Sequence, residues 1–219
     1  MSVRRGVALA LVLASAQASA VEPWDTGIDG VGRISVSGGW KLAGQDWFFR
    51  QSADQGHPTV TRGIGGPQGF ASFGYGAIRW LEVSIDLFMG HDRFEIGGFN
   101  PINILTYGAL VGARATFMDF LFPGFAPYVG VSLGPVLGYV WTGASNETFE
   151  RLITGVAGVA GLSYRVTERF ALFVDYRFLY ARGVWVTSGL NVGGSFFSLG
   201  FTFYFPRSPS VTSGMLGGL

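Results

Sequence analysis

Apolar and polar residues trade places at every second position along much of this chain. From Leu81 to Met89 the odd positions hold Leu81, Val83, Ile85, Leu87 and Met89, and the even ones Glu82, Ser84, Asp86 and Phe88. From Leu172 to Tyr180 the even positions hold Leu172, Val174, Tyr176, Phe178 and Tyr180, with Asp175 and Arg177 between them. From Phe197 to Phe205 the odd positions are Phe197, Leu199, Phe201, Phe203 and Phe205, and the even ones Ser198, Gly200, Thr202 and Tyr204. A strand sends successive side chains to opposite faces, so this period of two predicts strands with one apolar face and one small or polar face. Helical spacing would gather Glu82 and Asp86 on one stripe but scatter the odd-numbered apolar set around the axis.

Eight segments of suitable length follow one another, near residues 32–43, 68–79, 81–91, 102–117, 126–140, 152–166, 169–182 and 192–205. Their connections alternate. Arg79-Trp80-Leu81 and Thr167-Glu168-Arg169 are tight, and residues 118–125 form a longer aromatic turn. The other four connections, 44–67, 92–101, 141–151 and 183–191, are longer or more polar. Tight turns on one rim and long loops on the other are the pattern of an outer-membrane barrel, with the long loops outside the cell. An even number of strands leaves both chain ends in the periplasm. Pro135 is a misfit in the fifth segment, because a mid-strand proline removes a ladder bond. A bulge is expected there, or a strand that has already left the membrane.

Composition decides which solvent the apolar face meets. Charged residues make up 13% of the chain, against about 25% in ordinary soluble domains. Aromatic residues reach 16%, with 20 Phe, and there are 35 Gly. An apolar, aromatic face opposite a face of Gly, Ser and Thr fits a barrel with lipid outside and a narrow bore inside. The fold class expected is therefore all-β: a transmembrane antiparallel up-and-down β-barrel of eight strands. The longest uncharged stretch, Phe120 to Asn146, would attract a transmembrane-helix assignment. Pro123, Gly124, Pro127, Gly130, Gly134, Pro135, Gly138 and Gly143 interrupt it and argue for strands instead.

The first residues read as an export signal. Arg4 and Arg5 form a basic start, Val7 to Leu13 an apolar run too short to span a bilayer, and Ala18-Ser19-Ala20 a small-x-small cleavage site before Val21. The organisation expected is a signal peptide over 1–20, a periplasmic lead over 21–31, the barrel over 32–205 and a disordered tail over 206–219, rich in Ser, Gly and Pro. Cleavage after Ala20 removes two arginines and no acid, so the formal net charge moves from +1 to −1. That balance argues against a nucleic-acid partner. The absence of cysteine removes disulfides, thiolate metal sites and a cysteine nucleophile from consideration.

The last segment reads Ser198-x-Gly200-x-x-Phe203-x-Phe205, and the fifth opens Ala126-Pro127-Tyr128-Val129-Gly130. The first resembles the C-terminal signal read by the machinery that assembles outer-membrane barrels. The second is similar to the Pro-Tyr-x-Gly strand starts of small OmpA-like and OmpW-like outer-membrane barrels. The resemblance spans about residues 32 to 205 and implies an outer-membrane location. It also implies two partners, outer-membrane lipid and the assembly machinery. The chain departs from the pattern by continuing fourteen residues past Phe205.

No catalytic constellation stands out, and no cofactor or metal is expected. His57 and His91 are the only histidines, fall in or near outer loops and lack metal-ligand spacing. Barrel enzymes that modify lipids resemble this scaffold and use a His with a Ser and an acid; no His-x-Ser pairing exists here. The inward-facing charges carry more information. Parity turns Lys41, Glu82, Asp86, Arg114, Asp175 and Arg177 into the bore, with Arg33 and Arg165 nearer the periplasmic rim. Such groups must pair or hold water, as a structural filling or as a pore lining. Height along the strands pairs Asp86 with Arg114, and sets Asp175 and Arg177 across the bore from them. Gly74, Gly76, Gly130 and Gly134 on the inner face leave room for long charged chains. Trp40, Trp80 and Trp141 read equally as interface girdles or as loop packing. The functions compatible with this are a structural or surface-interaction barrel working through its outer loops, a narrow channel or transporter for a small solute, and, remotely, a lipid-modifying enzyme.

The mature protein should begin at Val21. Intact-mass measurement of membrane-derived protein checks this, and a mass that retains residues 1–20 would refute it.

Overall fold

The computed structural model describes residues 27–43, 60–96, 101–142, 145–185 and 188–205. The signal and cleavage residues Ala18, Ala20 and Val21, the loop residue His57 and the tail 206–219 lie outside the described residues.

Strand succeeds strand along the chain: β1 (Gly32–Ala43), β2 (Val60–Ile78), β3 (Leu81–Ile96), β4 (Ile102–Thr116), β5 (Phe125–Thr142), β6 (Ser145–Thr167), β7 (Phe170–Tyr180), β8 (Arg182–Trp185), β9 (Ser188–Asn191) and β10 (Gly194–Phe205). Eight of them close into an antiparallel barrel in the order β1-β10-β7-β6-β5-β4-β3-β2, with β1 also paired to β2. β8 and β9 form a separate two-stranded hairpin within the β7–β10 connection. Among the described residues there is no helix.

Closure runs through the first and last barrel strands. Gly32 pairs with Phe205, Val36 with Phe201 and Ala43 with Gly194, without a register shift. This registers the two alternations against each other. Ile34, Val36, Phe201 and Phe203 point out and are exposed, while Arg33, Ser35, Ser37, Ser198 and Thr202 point in and are buried. The outward set continues around the wall through Phe73, Val83, Ile85, Leu87, Val111, Val131, Leu172 and Val174, all exposed. The apolar residues that would form a core in a soluble protein are on the outside here, as lipid requires.

Both barrel ends, Gly32 and Phe205, lie at the rim that also carries the connections 79–80, 117–124 and 168–169. We call this the short-turn rim and its opposite the long-loop rim. Three strands run further toward the long-loop rim than the sequence pattern predicts. β2 begins at Val60, β3 ends at Ile96 and β6 begins at Ser145. Pairings such as Val60↔Ile96 and Arg62↔Glu95 carry the ladder past the point where the alternation in the sequence stops.

Pro135 sits without a bulge. The β5–β6 register runs unbroken through Pro135↔Thr154. On the β4 side, pairing lapses between Gly108↔Val136 and Val111↔Leu133 and resumes in the same register. The missing proline N–H costs a local gap in one ladder instead of an inserted residue.

Replacing Phe201 by Arg should destabilise the folded barrel by about 2–4 kcal/mol, because an arginine there meets hydrocarbon near mid-strand. Phe201→Leu should be nearly neutral. Urea titration of protein refolded into lipid vesicles measures both, and equal stability of wild type and Phe201→Arg would mean that the outward face has been misassigned.

Candidate functional site

The bore is the candidate site, and it is filled in layers whose heights follow from the strand registers. At the short-turn rim the chain before β1 turns in beneath the barrel. Ile28 N–H donates to Arg79 O at 3.0 Å, Gly30 N–H to Gly76 O at 2.8 Å, and Gly76 N–H to Val31 O at 3.0 Å. Ile28 is buried. Gly76 is glycine because the Ile28 carbonyl occupies the space a Cβ would need.

The next layer is a buried ion cluster. Glu82 accepts two bonds from Arg33 Nε at 3.0 and 2.9 Å, a third from Arg33 Nη2 at 2.6 Å, and one from Arg114 Nη2 at 3.0 Å. Arg33 also bonds Ser35, which in turn contacts Thr202 at 2.8 Å. The sequence-level pairing of Arg114 with Asp86 is thus corrected. In the β3–β4 ladder Glu82 lies opposite Arg114, whereas Asp86 lies opposite Leu110. Gly74 makes this cluster possible, since a Cβ there would overlap the Glu82 carboxylate. At Gly76, Gly130 and Gly134 the space is taken by backbone instead: the Ile28, Ala113 and Ala109 carbonyls respectively.

Mid-bore, Arg177 joins two acids. Its Nε donates to Asp175 at 3.0 Å along its own strand, and its Nη1 reaches Asp86 across the bore at 3.3 Å. Asp86 also accepts from Ser72, and Asp175 from the Tyr128 hydroxyl at 3.3 Å. The guanidinium groups lie over aromatic rings, Arg177 above Phe70 at 4.3 Å and Arg114 above Tyr128 at 4.5 Å. Arg165, also inward, lies over Tyr204 at 5.4 Å near the short-turn rim.

Above the ions the bore turns apolar, against the expectation of an inner face of small and polar side chains. Phe70 and Phe88 stack at 5.6 Å, and Phe196 meets them edge-on at 5.5 and 6.3 Å. Ile104, Leu110, Val136, Ala157, Leu179, Ala181 and Val192 complete this buried cluster. The signal was in the pattern: between Glu82 and Asp92, Phe88 is the one large apolar residue among the small and charged even positions of β3.

The highest layer is a second ion pair. Lys41 is 0% exposed and donates to Asp92 at 2.5 Å, to the Val192 carbonyl at 2.7 Å and to Thr106 at 3.2 Å. Asp92, read from sequence as a loop acid beside His91, is a fully buried residue of β3. Thr106 donates to the same Val192 carbonyl at 3.0 Å, so the segment after the β8–β9 hairpin is tied into the bore. His91 faces outward instead, its ring 5.8 Å from Trp141. Among the described residues no group of three or more His, Asp or Glu side chains could hold a metal.

Two of the internal cavities, one bounded by Phe70, Phe88 and Arg177 and the other by Arg33, Arg114 and Tyr128, measure about 10 Å³ each. Such a volume holds about one water.

Of the residues in the C-terminal pattern, Ser198 points in and accepts from Gln68 Nε2 at 2.9 Å, while Phe203 and Phe205 point out. Gly200 lies where a Cβ would overlap the Val36 carbonyl of β1, at the closing seam.

Comparison with known proteins follows the same lines. The profile of the family described as outer membrane protein beta-barrel domain matches residues 6–205. Among solved structures, Neisserial surface protein A is similar with a TM-score of 0.55 and 20% identity, covering 81% of this chain and 100% of that one. The outer membrane protein OprG from Pseudomonas aeruginosa gives a TM-score of 0.55 at 14% identity, over 82% and 97%. Ail, the attachment invasion locus protein of Yersinia pestis, solved with the heparin analogue sucrose octasulfate, gives 0.51 at 13%, over 81% and 99%. No curated protein sequence matches significantly.

Lys41→Met should destabilise the barrel by about 3–5 kcal/mol, because it strands the Asp92 carboxylate in a dry site. Adding Asp92→Leu should recover part of that loss. A double-mutant cycle by urea titration in vesicles checks this; additive losses would show that the two residues are uncoupled.

Proposed function

The chain belongs to the outer membrane protein β-barrel domain family, and from that premise we propose that it is a non-conducting integral barrel that presents loops at the cell surface for structural or binding work. The observation that carries this reading is the filled bore. A water path would have to cross the Ile28 turn, two ion clusters, a layer of three phenyl rings and the buried Lys41–Asp92 pair. Eight strands enclose a space that side chains can fill, and here they leave cavities of only about 10 Å³ beside charges neutralised in place. Lys41, Glu82, Asp86, Arg114, Asp175 and Arg177 then act as a structural network, with Arg33 and Asp92 as the partners that complete it.

The short-turn rim faces the periplasm in this reading and the long-loop rim faces the outside. Support comes from the even strand count, the two barrel ends sharing one rim, and the longer connections on the other. The partners proposed are outer-membrane lipid along the exposed apolar face and the assembly machinery. Ser198, Gly200, Phe203 and Phe205 form the segment it would read. Export through a signal peptide cleaved between Ala20 and Val21 belongs to the same proposal.

A second reading, passage of a small apolar solute, has one observation on its side. The lapse in β4–β5 pairing at Ala109–Leu110 lies beside the apolar layer, where Leu110 and Val136 face inward. A route there would lead sideways into lipid and leave the ion clusters shut. A lipid-modifying activity has no observation in its favour among the described residues.

Planar-bilayer recording of the reconstituted mature chain should show no long-lived conductance steps. Because ionic and aromatic layers seal independently, Arg114→Ala should also stay silent. Steps should appear only when both are thinned, as in Arg177→Ala combined with Phe70→Ala and Phe196→Ala. Large steady steps from wild type would overturn the reading.

A further inference from the structure

Two of the three connections at the short-turn rim are tight and carry charge, Arg79-Trp80 and Glu168-Arg169. The third, residues 117–124 between β4 and β5, is long and apolar: Phe117-Met118-Asp119-Phe120-Leu121-Phe122-Pro123-Gly124. Leu121, at 70%, is the most exposed large hydrophobic among the described residues, and Phe120 is at 65%. A turn meant for water has no reason to display these side chains.

The turn is nevertheless well held. Phe117 N–H donates to Pro127 O at 2.9 Å, Phe120 N–H to Phe125 O at 3.1 Å and Phe125 N–H to Phe122 O at 3.1 Å. Arg165 N–H on β6 donates to Gly124 O at 2.8 Å. Asp119 adopts φ 53°, and its carboxylate accepts the Gly124 N–H at 2.7 Å. Aspartate tolerates the left-handed region when its side chain bonds nearby backbone in this way. The only charge in the turn is therefore engaged inside it.

The turn also leans in a definite direction. The Phe122 ring lies 4.9 Å from Phe125 and 6.2 Å from Tyr164, both on the outward faces of their strands. It rests against the outside of the wall and not across the bore. Phe117 continues into a lipid-facing depression lined by Pro127, Val129, Ala160, Leu162 and Val174. The apolar tip and the lipid-facing belt are one surface.

We propose that residues 117–124 form a preshaped wedge seated in the headgroup–acyl boundary of the adjoining leaflet, with phospholipid as its occupant. Continuity with the belt sets the tip at membrane depth. Three side chains, Phe120, Leu121 and Phe122, are too few for a stable protein interface, which needs about 800 Å² per partner. Because the backbone is already ordered, seating the wedge costs little conformational entropy. It would fix the height and tilt of the barrel from one side. Naming that leaflet as periplasmic rests on the orientation proposed above; the wedge itself does not.

The chain has no cysteine, so single nitroxide labels can be placed at Leu121→Cys and, as a control on the same rim, Glu168→Cys. Each full-length mature variant is reconstituted in vesicles of phosphatidylethanolamine and phosphatidylglycerol, with heat-modifiable gel mobility reporting folding. Power-saturation EPR then compares collision with oxygen and with a nickel chelate present on both sides of the membrane. At position 121 nickel accessibility should be at least about five-fold lower than at 168, with oxygen accessibility higher. Equal nickel accessibility at the two positions would overturn the wedge, and so would nickel exclusion at 121 that fades as protein is diluted in lipid, which would mark a second copy as the occupant. If Leu121→Cys does not fold, Phe120→Cys gives the same reading. Labelling of Glu168→Cys on intact cells by an impermeant thiol reagent tests the orientation separately.

Discussion

Everything in this molecule depends on the closing seam between β1 and β10. In hydrocarbon an unpaired backbone N–H or C=O has no water to turn to, so an open sheet edge is not tolerated. The twelve pairings from Gly32↔Phe205 to Ala43↔Gly194 remove the two edges that eight strands would otherwise leave. They also lock parity. A slip of one residue would turn Phe201 and Phe203 into the bore and Ser198 and Thr202 into lipid. The close approach at Gly200, where the β1 backbone lies against the glycine, shows how little freedom the seam has.

Once the wall is closed, the contents of the bore become the second problem. The interior of so narrow a barrel must be filled, and what fills it inherits the low dielectric of a buried site. The chain meets this with two chemistries stacked by height. In the lower half every carboxylate sits beside a guanidinium: Glu82 between Arg33 and Arg114, and Asp86 and Asp175 around Arg177. Arginine suits this arrangement because its five donors serve a carboxylate and a further partner at once. In the upper half Phe70, Phe88 and Phe196 fill the cross-section without any need for polar partners. The Lys41–Asp92 pair above them is a separate device. By sharing the Val192 carbonyl with Thr106, it couples the buried wall to the connection that holds the β8–β9 hairpin.

The two rims follow different rules. At the long-loop rim, the strand ladder continues past the alternation in the sequence, as in the upper parts of β2, β3 and β6. At the short-turn rim, the Ile28 turn is bonded to the end of β2 with Ile28 buried, while the Phe122 ring lies on the outside of the wall. On the reading proposed above, a scaffold sealed inside leaves the function to the loops.

Period-two alternation was enough to read the barrel from the chain, along with the inward or outward side of the residues in Leu81–Met89, Leu172–Tyr180 and Phe197–Phe205. That information is local: side-chain direction follows from position in the strand, and lipid demands the same residue types on every outward face. Inward placement of Glu82, Asp86, Arg114, Asp175 and Arg177 was legible for the same reason. Which of them touch was not, because partners are set by register between strands, a non-local quantity. Four residues along β3 separate Glu82, the observed partner of Arg114, from Asp86, the partner that strand height alone implied. Asp92 was hidden because a polar residue near a strand end looks like a loop residue until its neighbours are known. The apolar upper bore was hidden because Phe70, Leu110, Val136 and Phe196 lie on four different strands, and only closure brings them to one level. The sequence by itself determined the sidedness of the wall; the tertiary structure decided the partners within it, since sidedness is a property of one strand and partnership a property of the closed ring.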